Sequence, residues 1–207
     1  MAQNPTVFQT PPQLIQLAQG GSLVSFPTDT LPALAIRPDR AADLFQAKHR
    51  STHKPLILMG ANTDDLWPYI DKTRVKPEIL DQWQQLMQQY WPGAVTFVLP
   101  VGPAGQPWAA ALNPENPSTL GLRVPNHDLA RAILQQTGPL ATTSANRSGE
   151  PALTDLASIA QAFPQVAVVD PGAGLSAGSG QASTVVQWQD QGWRVLRSGS
   201  VSVELPA

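Results

Sequence analysis

Seven residues, Lys48-His49-Arg50-Ser51-Thr52-His53-Lys54, hold three permanent cations and two imidazoles, in a chain with only four Lys and nine Arg overall. Arg can grip two oxygens of a phosphate or carboxylate at once, while Lys acts as a point charge. A helix C-terminus attracts a cation for about 0.3–1 kcal/mol, which accounts for Lys48 but not for Arg50 and Lys54 beyond it. The cluster therefore reads as an anion site. A second stretch, Thr142-Thr143-Ser144-Ala145-Asn146-Arg147-Ser148-Gly149, runs an apolar strand straight into hydroxyls and an amide. Pro27-Thr28-Asp29-Thr30 has the same character after an earlier strand. Thr28 and Thr30 can donate and accept, and Asp29 can accept from an amine. Arg123 and Arg197 each close a predicted strand and add two cations. In open α/β sheets ligands sit beyond the carboxyl ends of strands, so these loops predict one shared crevice.

Other patterns lack the context their chemistry needs. Gly174-Leu175-Ser176-Ala177-Gly178 has the G-x-S-x-G spacing of serine hydrolases, yet no helix follows it and the last His is His127. Gly172 to Ala177 fits G-x-G-x-x-A, again without a following helix. His49 and His53 stand four apart with no Glu between them, a poor metal pair. There is no Cys, which removes disulfides, thiolate ligands and a Cys nucleophile.

The elements that must position these groups alternate along the chain. Thr10 with Pro11-Pro12 opens a helix that Gly20-Gly21 ends. Strands are predicted at 22–26, 55–59, 94–99, 119–124, 139–143, 166–170, 183–188 and 193–197. Helices are predicted from Asp39 to Ala47 and at 63–71, 77–90, 126–137 and 154–163. Residues 100–117 read as a long loop, the kind that is usually functional. Strands separated by helices, with a late hairpin, predict one α/β domain: a single twisted, mixed sheet with flanking helices. Net charge is −2 and charged residues make up 14%, against about 25% in an average chain, so a wholly nucleic-acid-coating surface is excluded. Hydrophobic residues at 42% support a real core. No apolar run approaches the ~20 residues of a membrane helix, and Met1 to Pro5 shows no signal sequence. A cytoplasmic protein is the expectation.

Taken in order, Pro27-Thr28-Asp29-Thr30, Lys48-x-Arg50 with Lys54-Pro55-Leu56, Trp91-Pro92-Gly93 with Thr96, Arg123-x-Pro125-x-His127, Ser144-Ala145-Asn146, Ser183-Thr184-Val185-Val186 and Arg197-x-Gly199 resemble the YrdC-like family of threonylcarbamoyl-AMP synthases. The resemblance, to the short bacterial form, implies a single domain over 1–207, with its core at about 10–200 and a positively lined cleft. It implies formation of threonylcarbamoyl-adenylate and pyrophosphate from L-threonine, bicarbonate and ATP. The product would pass to a tRNA threonylcarbamoyl transferase complex. By the same resemblance Lys48 and Arg50 serve catalysis, and Arg50, Lys54, Thr119, Ser144, Asn146, Ala152 and Arg197 hold the nucleotide. Thr28, Thr30, Arg123, Thr142 and Ser183 hold threonine. Mg²⁺ is expected on the ATP, with no direct protein ligand. The alternative is a paralogue that binds RNA or ribosomes without making the adenylate. The chain departs from the family where Leu31-Pro32-Ala33 replaces a Tyr-Gly pair, and at Ser51, Met59 and Ala152. These put the shape of the pocket in question more than the reaction.

Overall fold

The computed structural model describes residues 8–49, 53–73, 75–147, 149–170, 177–189 and 192–206. Among the described residues, ten strands join one mixed sheet in the order β1-β8-β2-β3-β7-β4-β6-β5-β9-β10. They are β1 (Phe8–Gln9), β2 (Val24–Phe26), β3 (Ala33–Ile36), β4 (Ile57–Met59), β5 (Val95–Pro100), β6 (Thr119–Arg123), β7 (Leu140–Ser144), β8 (Ala167–Val169), β9 (Thr184–Gln189) and β10 (Gly192–Arg197). The helices are α1 (Pro11–Gln19), α2 (Ala41–Lys48), α3 (Thr63–Leu66), α4 (Pro77–Tyr90), α5 (Gln106–Leu112), α6 (Asp128–Thr137) and α7 (Leu156–Ala162). Among the described residues no helix is long and apolar enough to cross a membrane.

Four elements depart from the sequence expectation: the short edge strand β1 is not among the predicted strands, the helix expected at 63–71 ends at Leu66 and gives way to a 3-10 turn over Trp67–Tyr69, and two others bear on the site. The Ala-Leu-Ala-Ile of β3 follows Pro32 and shows no alternation, yet it lies mid-sheet, antiparallel to both β2 and β7. Ala is a weak strand former. Here burial on both faces, with no residue above 3% exposed, decides the conformation. The expected long loop at 100–117 contains α5. Its glycine and proline surroundings hid a short helix that buries Ala109 and Leu112.

The core also fixes the far edge of the sheet. Trp83 of α4 is fully buried and meets Trp188 of β9 edge-on at 5.5 Å and Trp193 of β10 at 6.3 Å. Phe97 of β5 meets Trp193 at 5.5 Å. Each such pair contributes about 0.5–1.5 kcal/mol beyond the area buried. The cluster clamps β5, β9 and β10 to one helix, and so holds Ser183 and Arg197 at the ends of their strands.

Asp155 caps α7: its Oδ1 accepts from Ser158 N at 2.7 Å, and this bond holds the carboxyl below the usual carboxylate range. Asp155→Ala is expected to cost about 1 kcal/mol in urea unfolding at neutral pH. The folded pKa is depressed, so the contribution is present above the unfolded value of about 3.9 and fades as pH falls through the folded one. The gap between wild type and variant should therefore narrow on acidification.

Candidate active site

Side chains alternate across a strand, and here the alternation separates core from cleft. On β6, Leu120 and Leu122 are at most 1% exposed on the core side, while Thr119, Gly121 and Arg123 face the other way. On β5, Val95, Phe97 and Leu99 are fully buried in the core, and Thr96 and Val98 face the cleft. Strands β4, β7 and β9 add Ile57, Met59, Thr142, Ser144, Val185 and Gln187. The result is a cleft of about 760 Å³. Its position corrects the sequence expectation: it lies across the face of the sheet as well as beyond strand ends. At one point the floor is bare backbone. A Cβ on Gly121 would come within 2.8 Å of Ile57 Cγ2.

Nine predicted site residues line this one cleft: Thr30, Lys54, Thr119, Arg123, Thr142, Ser144, Asn146, Ser183 and Arg197. Among the described residues, the lining holds the cations Lys54, Arg123 and Arg197 and no carboxylate. Arg50 lies outside the described residues, as do Ser51 and the Gly174-Leu175-Ser176 part of the hydrolase-like pattern. Thr28, Lys48 and Ala152 are not among the lining residues. Ala152 is half-buried beside Leu153, whose N–H donates to Ala145 O.

Lys48 requires a correction. It ends α2, as its reading as a helix C-terminal cation requires, but it is fully buried rather than presented to solvent. Its Nζ donates to Thr143 Oγ1 at 3.1 Å, Ser144 O at 2.5 Å and Asn146 Oδ1 at 3.1 Å, which uses all three of its protons. The ammonium thus fastens the end of β7 to the loop that follows it. Asn146 is equally committed. Its Oδ1 also accepts from Ser144 Oγ, and its Nδ2 donates to Arg147 O and Glu150 O. Both side chains shape the 144–150 loop, leaving the Ser144 oxygen to accept from a ligand.

Arg123 is 4% exposed, and burial lowers its pKa. Its Nε donates to Gly93 O at 3.0 Å, Nη1 to Thr30 Oγ1 at 2.8 Å and Nη2 to Asp29 Oδ1 at 2.7 Å. One hydrogen on each Nη remains for a ligand. Thr28, 1% exposed, sits behind Thr30 with the two hydroxyl oxygens 3.0 Å apart. At the other rim, Arg197 donates through Nε and Nη2 to Ser183 O, and its surroundings push its pKa down by withholding water. Nη1 stays available to an anion. Ser183 Oγ in turn meets Thr96 Oγ1 at 2.9 Å.

Sequence reasoning missed several lining groups. His53 forms an exposed pair with Glu115 at 2.8 Å, and Asn113 Nδ2 donates to Thr119 O at 3.2 Å. The two loops read as an anion site and as a long functional loop, but neither His53 nor the amides of Asn113-x-x-Asn116 stand out there as lining groups. His49 caps α2 in the left-handed region, and no metal-holding group of three His, Cys, Asp or Glu occurs among the described residues. Leu31, Ala33 and Met59 line the cleft, so those departures from the family pattern do face the pocket.

A family model for Sua5, YciO and YrdC, described as telomere recombination, matches residues 16–199. The chain belongs to the Sua5/YciO/YrdC family. The threonylcarbamoyl-AMP synthase of Bacillus subtilis is 34% identical over 93% of this chain and 55% of its own length. P. abyssi Sua5, crystallised with L-threonine, superposes with a TM-score of 0.73 at 26% identity, over 89% of this chain and 52% of that one. The chain thus spans about half the length of both relatives. E. coli YciO, at 22% identity and a TM-score of 0.75 over 94% of this chain and 91% of its own, shares the fold.

Proposed function

We propose that this chain joins L-threonine, bicarbonate and ATP into threonylcarbamoyl-adenylate and pyrophosphate. The observation that carries the reading is the cleft, bordered by Lys54, Arg123 and Arg197 with no carboxylate among its described lining residues. A triphosphate and an amino-acid carboxylate both need that compensating charge. A volume of about 760 Å³ is of the size that holds a nucleotide-sized ligand. The name of the Bacillus subtilis relative and the threonine bound by P. abyssi Sua5 support the same reading.

In this mechanism the threonine carboxylate takes the remaining Nη hydrogens of Arg123, with Thr30, Thr142 and Ser183 around the rest of the amino acid. The amine attacks the carbon of CO₂, which bicarbonate yields by losing hydroxide, or that of bicarbonate itself, whose hydroxyl leaves; a C–N bond forms, and the proton lost from nitrogen combines with that hydroxide as water. A carbamate oxygen then attacks the α-phosphorus, forming a P–O bond as the bond to the β,γ-phosphates breaks. Arg197, Lys54, Thr119 and Ser144 hold the nucleotide and meet the charge that gathers on the departing pyrophosphate. Arg50 is assigned to the same task. Lys48 and Asn146 act by holding Ser144, and no covalent nucleophile is required. The lining offers hydroxyl and amide oxygens without a carboxylate, so it suits a Mg²⁺ that arrives on the ATP phosphates and keeps its waters. That ion would neutralise phosphate charge. The enzyme would work in the cytoplasm and release its product to a tRNA threonylcarbamoyl transferase complex.

Pyrophosphate release by purified protein tests this directly. It should require ATP, threonine and bicarbonate together and fall when serine replaces threonine. RNA binding without such release would favour the RNA- or ribosome-binding paralogue instead.

A further inference from the structure

We infer that Thr28, out of reach of any ligand, fixes the direction of the Thr30 hydroxyl so that Thr30 meets the substrate amine only as a hydrogen-bond acceptor. The inference rests on the proposed reaction and follows from counting protons. A threonine hydroxyl has one hydrogen and two lone pairs. Thr28 Oγ1 gives its hydrogen to Leu31 O at 2.8 Å. It receives Thr30 N–H at 3.1 Å, and the only hydrogen left for the 3.0 Å contact between the hydroxyls is that of Thr30. Thr30 Oγ1 also receives Arg123 Nη1–H at 2.8 Å. The chain therefore runs one way, from Arg123 to Thr30 to Thr28 to the Leu31 carbonyl. One lone pair on Thr30 remains, on a residue that lines the cleft.

Reversal is costly. Turning the Thr30 hydrogen towards a ligand would set two hydroxyl oxygens lone pair to lone pair, at residues 1% and 2% exposed, where water cannot repair the loss. The backbone is pinned too. Ser179 N donates to Asp29 O at 2.9 Å and Gly180 N to Thr30 O at 3.0 Å. A Cβ on Gly178 would overlap the carbonyl oxygens of Thr28 and Thr30, so the passing segment fits this loop only with glycine there.

The direction has a chemical consequence. An amine that donates N–H to Thr30 keeps its lone pair for carbon. An amine that accepts from Thr30 has that lone pair tied up and is a poorer nucleophile. Thr28 is thus a positioning residue that acts on the rate of carbamate formation. Thr28→Val keeps the shape, removes the acceptor and frees the Thr30 hydrogen to point at the amine. Its kcat for threonine-dependent pyrophosphate release should fall about tenfold, the factor one hydrogen bond carries, with KM for ATP unchanged. Thr28→Ser should rescue the rate. Wild-type kcat in Thr28→Val, or no rescue by Thr28→Ser, would overturn the inference. Proton NMR of the substrate-free wild-type protein reads the relay without any turnover. Slowly exchanging hydroxyl protons on both Thr28 and Thr30 are expected, and rapid exchange of either overturns the inference. A protein with both slow protons but no pyrophosphate release would instead sink the proposed reaction.

Discussion

Arg123→Ala is expected to lower stability by about 3–5 kcal/mol in urea unfolding, the cost of stranding one partner of a buried ion pair. Asp29 is that partner, with side-chain exposures of 5% for Arg123 and 15% for Asp29. The guanidinium also ties the Gly93 carbonyl to the Thr30 hydroxyl, so its loss unlinks two loops. Removing the stranded charge should recover part of the loss. The double variant Asp29→Ala/Arg123→Ala is expected to be more stable than Arg123→Ala alone, whereas additive losses would show that the pair does not act as a unit. Calorimetric titration with threonine separates the two duties of Arg123. If its spare Nη hydrogens hold the carboxylate, the double variant should regain stability without regaining threonine affinity.

Lys48→Met is expected to cost about 2–4 kcal/mol, because it leaves Ser144 O, Thr143 Oγ1 and Asn146 Oδ1 without their charged donor in a buried site. An exposed lysine at a helix end would cost only a few tenths, so unfolding of this variant tests the burial as well. Activity should fall with it through the 144–150 loop. Asn146→Ala provides the check. Lys48 and Asn146 hydrogen-bond to one another, so the double variant should lose less than the sum of the two single ones, in both stability and KM for ATP. Strictly additive effects would mean that Lys48 works independently of the loop.

The two substitutions also mark where reasoning from sequence ends. The cations at Lys54, Arg123 and Arg197, and the hydroxyls at Thr30, Thr142, Ser144 and Ser183, were legible as residue types following predicted strands. They do line one cleft. That Lys48 is buried against the end of β7 was not legible, since a lysine closing a helix looks the same whether its stem runs into solvent or into the protein. The same limit applies to Thr28, whose part in the loop depends on a proton count across Leu31, Thr30 and Arg123.

Local order along the chain determined the α/β class, most of the strands and helices, and the inventory of anion-binding and hydroxyl groups, because periodicity and turn chemistry act over a few residues. Tertiary structure alone decided that Ala33–Ile36 is a central strand and that the cleft spreads across a sheet face floored by Gly121. It also decided which polar groups are spent on the scaffold and which remain for a ligand. Strand order, burial and hydrogen-bond saturation join residues 98 and 94 positions apart, Lys48 with Asn146 and Asp29 with Arg123, and no short window of sequence contains both partners.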